Sequence, residues 1–114
     1  MELKVEQGET PIIDVSGEID HFVCQQLNDR IDELAKDSTK LLLDFSDVTY
    51  LDSAGVAAVI SAIQQVSLPG GNVALVVSHP DVSHILDLVG LTSQIDRFVL
   101  TDNREEALKH LAAA

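Results

Sequence analysis

Residues 41–60 read Leu41-Leu42-Leu43-Asp44-Phe45-Ser46-Asp47-Val48-Thr49-Tyr50-Leu51-Asp52-Ser53-Ala54-Gly55-Val56-Ala57-Ala58-Val59-Ile60. The first five form a nearly continuous apolar run, which suits a strand covered on both faces, as in parallel or mixed sheets. Ser46-Asp47 begins a polar break. After Tyr50-Leu51-Asp52 the period becomes helical: Val56, Val59, Ile60, Ile63 and Val66 fall on one stripe. Ala54, Ala57, Ala58 and Ala62 thicken it. Pro69-Gly70-Gly71 stops this helix, and Val73–Val77 is a second buried strand. A strand feeding a helix that feeds a strand is the building unit of an α/β fold.

The flanks extend the pattern. Ile12, Ile13 and Val15 make a β-branched run between Pro11 and Gly17, so residues 10–16 are expected as strand. Leu3 and Val5 alternate with polar residues, which predicts a strand near 2–7, with Gly8-Glu9-Thr10 as the turn. Val23, Leu27, Ile31 and Leu34 mark a helix with Asp20 as candidate N-cap. Val82, Ile85, Leu86 and Val89 mark a short helix ended by Gly90. Phe98–Leu100 is a last strand, and Asp102 or Asn103 caps a final helix carrying Ala107, Leu108 and Leu111. The order ββαβαβαβα predicts a single α/β domain over residues 1–114. Its mixed sheet has four or five strands with about four helices. The first two strands form a hairpin, and the later ones are joined by right-handed crossovers.

The chain has 114 residues, with 7 Lys+Arg against 19 Asp+Glu and a net charge of −12. That argues against nucleic acid or anionic membranes as partners, because phosphate affinity needs clustered cations. Hydrophobic residues make up 46% and mean hydropathy is +0.17, so the charge sits on a foldable chain. Every Lys and Arg lies in 4–40 or 97–109. Residues 41–96 have none, yet carry Asp44, Asp47, Asp52, Asp81, Asp87 and Asp96. Met1–Lys4 lacks the pattern of a signal peptide, and the weakly polar stretch Ala54–Ile63 is about half the ~20 residues of a membrane span. A soluble, cytoplasmic protein without membrane insertion is expected.

Several chemistries lack their residues. The lone Cys24 excludes an intramolecular disulfide and a cysteine-based zinc site. There is no P-loop, and Pro69-Gly70-Gly71-Asn72 precedes a strand where a dinucleotide fingerprint opens a helix. His21, His79, His84 and His110 form no metal-ligand pair on a helix face. A helix-face contact between His84 and Asp81 is the favoured reading. Cys24 follows His21 by three, without an oxyanion motif, and reads as a buried thiol. Phe22, Phe45, Phe98 and Tyr50 are too few for a base-stacking platform. No cofactor and no enzymatic activity are expected.

Two segments stand out. One is Gly17-Glu18-Ile19-Asp20, a strand end and acidic turn before a helix. The other is Leu51-Asp52-Ser53-Ala54-Gly55-Val56, a strand-to-helix turn. Asp52 or Ser53 is expected at or next to the N-cap, where a side-chain oxygen satisfies free backbone N–H groups. Val56 occupies the place of the Glu or Gln of a capping box. The small Ala54 and Gly55 leave the Ser53 hydroxyl reachable.

These two segments occur in order with the apolar strand Leu41–Phe45 between them. Gly70-Gly71 precedes a later strand, and Leu88-Val89-Gly90-Leu91 is followed by Ile95 and Phe98. In this the chain resembles the STAS domain family over nearly its whole length, in particular the single-domain bacterial anti-sigma-factor antagonists. Ala54 stands where many relatives have a second Ser or Thr, so one hydroxyl is singled out. The resemblance implies a mixed sheet with helices mainly on one face. It also implies partner switching in transcription regulation and the stress response. The antagonist binds an anti-sigma factor that is also a serine kinase. Phosphorylation of Ser53 releases it, and a serine phosphatase restores binding. The implied partner surface comprises Asp20, His21, Asp52, Ser53, Ala54, Gly55 and Val56, on a monomer or weak dimer. STAS-like accessory subunits of lipid-exporting ABC transporters are the alternative, and there the serine is structural. A phosphate adds about −1.5 to −2 charges, and residues 41–96 hold no Lys or Arg to neutralise it. A distant basic residue such as Arg97 or Arg104 folding back onto the serine would supply one.

Overall fold

In the computed structural model, which describes residues 1–88, 90 and 97–113, the run at 41–45 lies in the middle of a five-stranded sheet. Strands β1 (Glu2–Glu6), β2 (Ile12–Ile19), β3 (Lys40–Leu51), β4 (Asn72–Val77) and β5 (Phe98–Thr101) lie side by side in chain order. β1 pairs antiparallel with β2, and every later pair is parallel. The crossovers are α1 (Cys24–Ala35), α2 (Ser53–Ala62) and α3 (Pro80–Leu88), and α4 (Arg104–Ala112) follows the last strand. The expected mixed sheet and four helices are present.

Alternation along the strands explains the layers, because successive side chains point to opposite faces. Leu41, Leu43 and Phe45 join Leu27, Ile31, Val59, Val82 and Leu86 in one core. Leu42 turns the other way, with Ile12, Ala74 and Val76, against Ala107 and Leu111 of α4. Crossovers of one hand that advance in one direction place their helices on one face. α4 needs no further strand and closes the opposite face.

The structure corrects several boundaries. β3 does not break at Ser46-Asp47: it runs on to Leu51, with Asp47 beside Ser16, Val48 beside Gly17 and Leu51 beside Ile19. The polar residues face outward while Val48 and Leu51 stay buried, so pairing with β2 continues. Irregular register between Asp14 and Ser16, and between Gly17 and Glu18, absorbs the mismatch. Gly17 has φ 87°, a conformation that favours glycine. α1 starts at Cys24, after a turn through His21-Phe22-Val23. Ile60 and Ala57 are exposed and not on the buried stripe of α2. The apolar positions along 54–66 reach around more of the helix than one packed face covers. Past Ala62 the helix widens into a π-turn over Ile63–Ser67. Leu108 is exposed, while Asn103 caps α4 through Oδ1, accepting from Glu106 N at 2.8 Å. Val89, Leu91, Ile95 and Asp96 lie outside the described residues.

The α4 face contains a buried charge. Asp44 is 4% exposed. Its Oδ1 accepts from Ser46 N (3.0 Å) and Ser46 Oγ (2.6 Å), and its Oδ2 from Arg104 Nε (2.7 Å). The same guanidinium donates to Glu6 Oε2 (2.9 Å) and Asp14 Oδ2 (3.3 Å), so one side chain ties α4 to β1, β2 and β3. Burial opposes the charged form of Asp44, but the bonds from Ser46 and Arg104 prevail and hold its carboxyl below 3.8. Burial and the nearby Asp44 push Asp14 the other way.

Removing Arg104 strands the buried Asp44 carboxylate. Arg104→Ala is expected to cost about 2 kcal/mol in urea unfolding at neutral pH. The native Asp44 value is depressed, so its contribution is complete above 3.8 and is lost as pH falls through that lower value. The gap between wild type and variant therefore narrows as the stranded carboxylate protonates in the variant and closes once Asp44 protonates in the wild type too, below 3.8.

Candidate functional site

Ile19 and Leu51 are register partners at the ends of β2 and β3, so the two segments singled out in the sequence meet at the carboxyl end of the sheet. Asp52 joins them. Its backbone N–H donates to Ile19 O at 3.2 Å. Its Oδ1 accepts from Ala54 N (2.9 Å) and Gly55 N (3.2 Å), and its Oδ2 from His21 N (3.2 Å). Asp52 is therefore the N-cap of α2 and also holds the loop before α1. With capping done by its neighbour, Ser53 is the first helical residue. It is exposed, and its hydroxyl bonds to none of the described residues.

Gly55 lets the helix sit this close. A Cβ there would run into Leu51 Cδ1 and lie 2.9 Å from Leu51 Cγ and 3.1 Å from Ile19 Cγ2. Gly55 and Val56 are buried beneath the turn, so of the expected partner surface they position α2 while Asp20, His21, Asp52, Ser53 and Ala54 reach solvent. Asp20 caps the turn leading into α1: its Oδ1 accepts from Phe22 N (3.0 Å) and Val23 N (3.2 Å), and its carbonyl from Cys24 N (3.0 Å). The His21 ring lies with Nδ1 3.9 Å from Asp52 Oδ2 and stacks on Phe22, centroids 4.0 Å apart. Phe22 is 81% exposed. It was no part of the expected site. The signal lay in its place one residue before the stripe Val23, Leu27, Ile31 and Leu34, off the buried face of α1.

Cys24 lies behind the serine. It is buried, donates from Sγ to Ala54 O (3.1 Å) and accepts from Asn28 Nδ2 (3.6 Å). Burial, with Asp52 nearby, pushes the thiol up, so the group is a protonated structural link between α1 and α2.

Neither distant arginine folds back. Arg104 is held by Asp44, Glu6 and Asp14. The Arg97 carbonyl accepts from Val73 N and Ser67 Oγ, where β4 begins, at the end of the parallel strands away from Ser53. Among the described residues no Lys or Arg pairs with Asp20 or Asp52. Nor does any group of three or more His, Cys, Asp or Glu among them suit a metal ion. Asp81 N donates to His79 Nδ1 at 3.2 Å, so His79 and not His84 makes the local contact. No helix of the described residues is long and apolar enough to cross a membrane.

A model of the STAS domain matches residues 2–107, and the chain belongs to that family. It is 29% identical over 93 residues to the anti-sigma-B factor antagonist of Bacillus subtilis, covering 81% of this chain and 85% of that protein. The crystal structure of an anti-sigma factor antagonist from Mycobacterium paratuberculosis aligns with TM-score 0.86 at 25% identity, over 97% of this chain and 93% of that one. The Bacillus cell fate determinant SpoIIAA in its phosphorylated form shares the fold, with TM-score 0.74 at 22% identity over 96% and 98% of the two chains.

Two outcomes follow from the packing beneath Ser53. Gly55→Ala is expected to lower stability by about 1–3 kcal/mol in thermal unfolding, because Leu51 and Ile19 must move. Cys24 should react with a chromogenic disulfide only on unfolding; rapid labelling of the native protein would contradict its buried, protonated state.

Proposed function

We propose that this chain is an anti-sigma-factor antagonist of a partner-switching pathway. Unphosphorylated, it binds an anti-sigma factor that is also a serine kinase, and so frees a sigma factor. Phosphorylation of Ser53 releases it, and a serine phosphatase resets it. The chain is then a kinase substrate and a binding module of the cytoplasm, not an enzyme. The observation that carries the reading is the free, exposed hydroxyl of Ser53 on the first turn of α2. A serine kept for structure would do the capping; here Asp52 does it.

The surroundings support release by charge. A phosphate adds about −1.5 to −2 charges. The N–H groups of Ala54 and Gly55, which would receive it, already bond Asp52 Oδ1. Asp52 is adjacent and Asp20 caps the neighbouring loop. An interface closing over this point buries uncompensated negative charge, which costs several kcal/mol. About 2.7 kcal/mol is already a hundredfold in affinity, so release needs no rearrangement of the domain.

Ser53→Asp is expected to weaken binding to the anti-sigma factor kinase about a hundredfold in calorimetric titration. Ser53→Ala keeps the wild-type affinity and takes up no phosphate from ATP and kinase. Equal affinity of wild type and Ser53→Asp would overturn electrostatic release.

A further inference from the structure

α2 and the turn after it differ from the other helices: residues 53–71 contain no Asp, Glu, Lys, Arg or His. The exposed positions of α1 include Asp29, Arg30 and Glu33, and those of α4 include Glu105, Glu106 and Lys109. On α2 and its π-turn the exposed positions are Ser53, Ala57, Ile60 and Gln64, followed by Leu68. The spacing of three or four aligns them along one face. At 1.5 Å per residue the line runs roughly 22 Å from Ser53. Ile60 is 37% exposed and Leu68 72%. Phe22 stands at the Ser53 end, held there through the stacked His21 and its bond to Asp52. On a chain of net charge −12, this is an uncharged band with apolar residues at both ends and in the middle.

We infer that the anti-sigma factor kinase docks along this whole band, from Phe22 to Leu68, and not on the Ser53 turn alone. The inference rests on the reading of Ser53 given above and assigns that partner its contact surface. A stable interface buries about 800 Å² per partner, some 20–30 residues. The Ser53 turn, with Gly55 and Val56 buried, is far smaller, and the band continues directly from it. Charge identifies the occupant. Asp20 and Asp52 border the Ser53 end. Asp32 borders the flank, where its Oδ1 accepts from Gln65 Nε2 at 2.7 Å. The complementary surface is an apolar strip margined by Lys and Arg. A second copy of this chain brings the same acidic border and another −12, so like charges oppose self-association here. Phe22, Ile60 and Leu68 are the anchors, large apolar groups exposed in the free protein.

The test is calorimetric titration of the full chain with the anti-sigma factor kinase, using wild type, Ser53→Asp, Ala57→Glu and Leu68→Glu. Leu108→Glu on the opposite face serves as control. Leu68→Glu and Ala57→Glu, which change exposed positions, should each weaken binding roughly tenfold or more with unchanged thermal melting. Leu108→Glu should bind as wild type. If both band variants bind like wild type while Ser53→Asp loses affinity, the extended footprint is overturned and the Ser53 switch stands. If wild type binds no such kinase, the switch falls and the footprint with it. A homodimer in sedimentation that Leu68→Glu dissolves would assign the band to a second copy and overturn the inference.

Discussion

The carboxylate of Asp52 is the joint of this molecule's functional end. One oxygen caps α2 and the other holds the His21 N–H, while the backbone N–H of the same residue continues the β2–β3 pairing. A helix N-terminus needs such an acceptor, since its first N–H groups have no partner within the helix. Because Asp52 provides it, Ser53 has no structural duty and its hydroxyl faces solvent. Cys24 closes the arrangement from beneath by bonding the Ala54 carbonyl, so the starts of α1 and α2 are fixed to each other as well as to the sheet.

The two faces of the sheet divide the chemistry. On the α4 face, Arg104 gathers Asp44, Asp14 and Glu6, the most concentrated neutralisation of acid in the described structure. On the face covered by α1, α2 and α3, the carboxylates of Asp20 and Asp52 on the two turns around Ser53 have no arginine or lysine paired to them among the described residues. Arg104 is bound to three carboxylates on the α4 face, and the Arg97 backbone sits at the end of the parallel strands away from Ser53. On the proposed function, this division lets a protein with this much excess acid use a further negative charge as a signal.

Much of the fold was legible because period reports burial. The run Leu41–Phe45 read as a two-sided strand, and it does face cores on both sides. Polarity misled where it was taken for an end. Ser46-Asp47 is polar because one face of β3 is open there, not because the strand stops. The stripe on α2 misled in the opposite sense. Ile60 and Ala57 are apolar and were counted as core, but a single packed face cannot cover that arc, and they are left at the surface. Phe22 was passed over for a similar reason. Its place just before the α1 stripe puts it off the buried face, but only the placement of His21 against Asp52 shows that it stands beside Ser53.

By itself, the sequence determined the order of elements, the α/β class, the pair of acidic turns and the serine between small residues. These depend on spacing and residue type within a few positions of the chain. Tertiary structure alone decided that the two turns, some thirty residues apart, share one carboxylate. It also decided that Asp52 and not Ser53 does the capping, and that Arg104 is spent on the far face. Those outcomes depend on strand register and helix seating, which bring distant residues within hydrogen-bond reach and which no local pattern encodes.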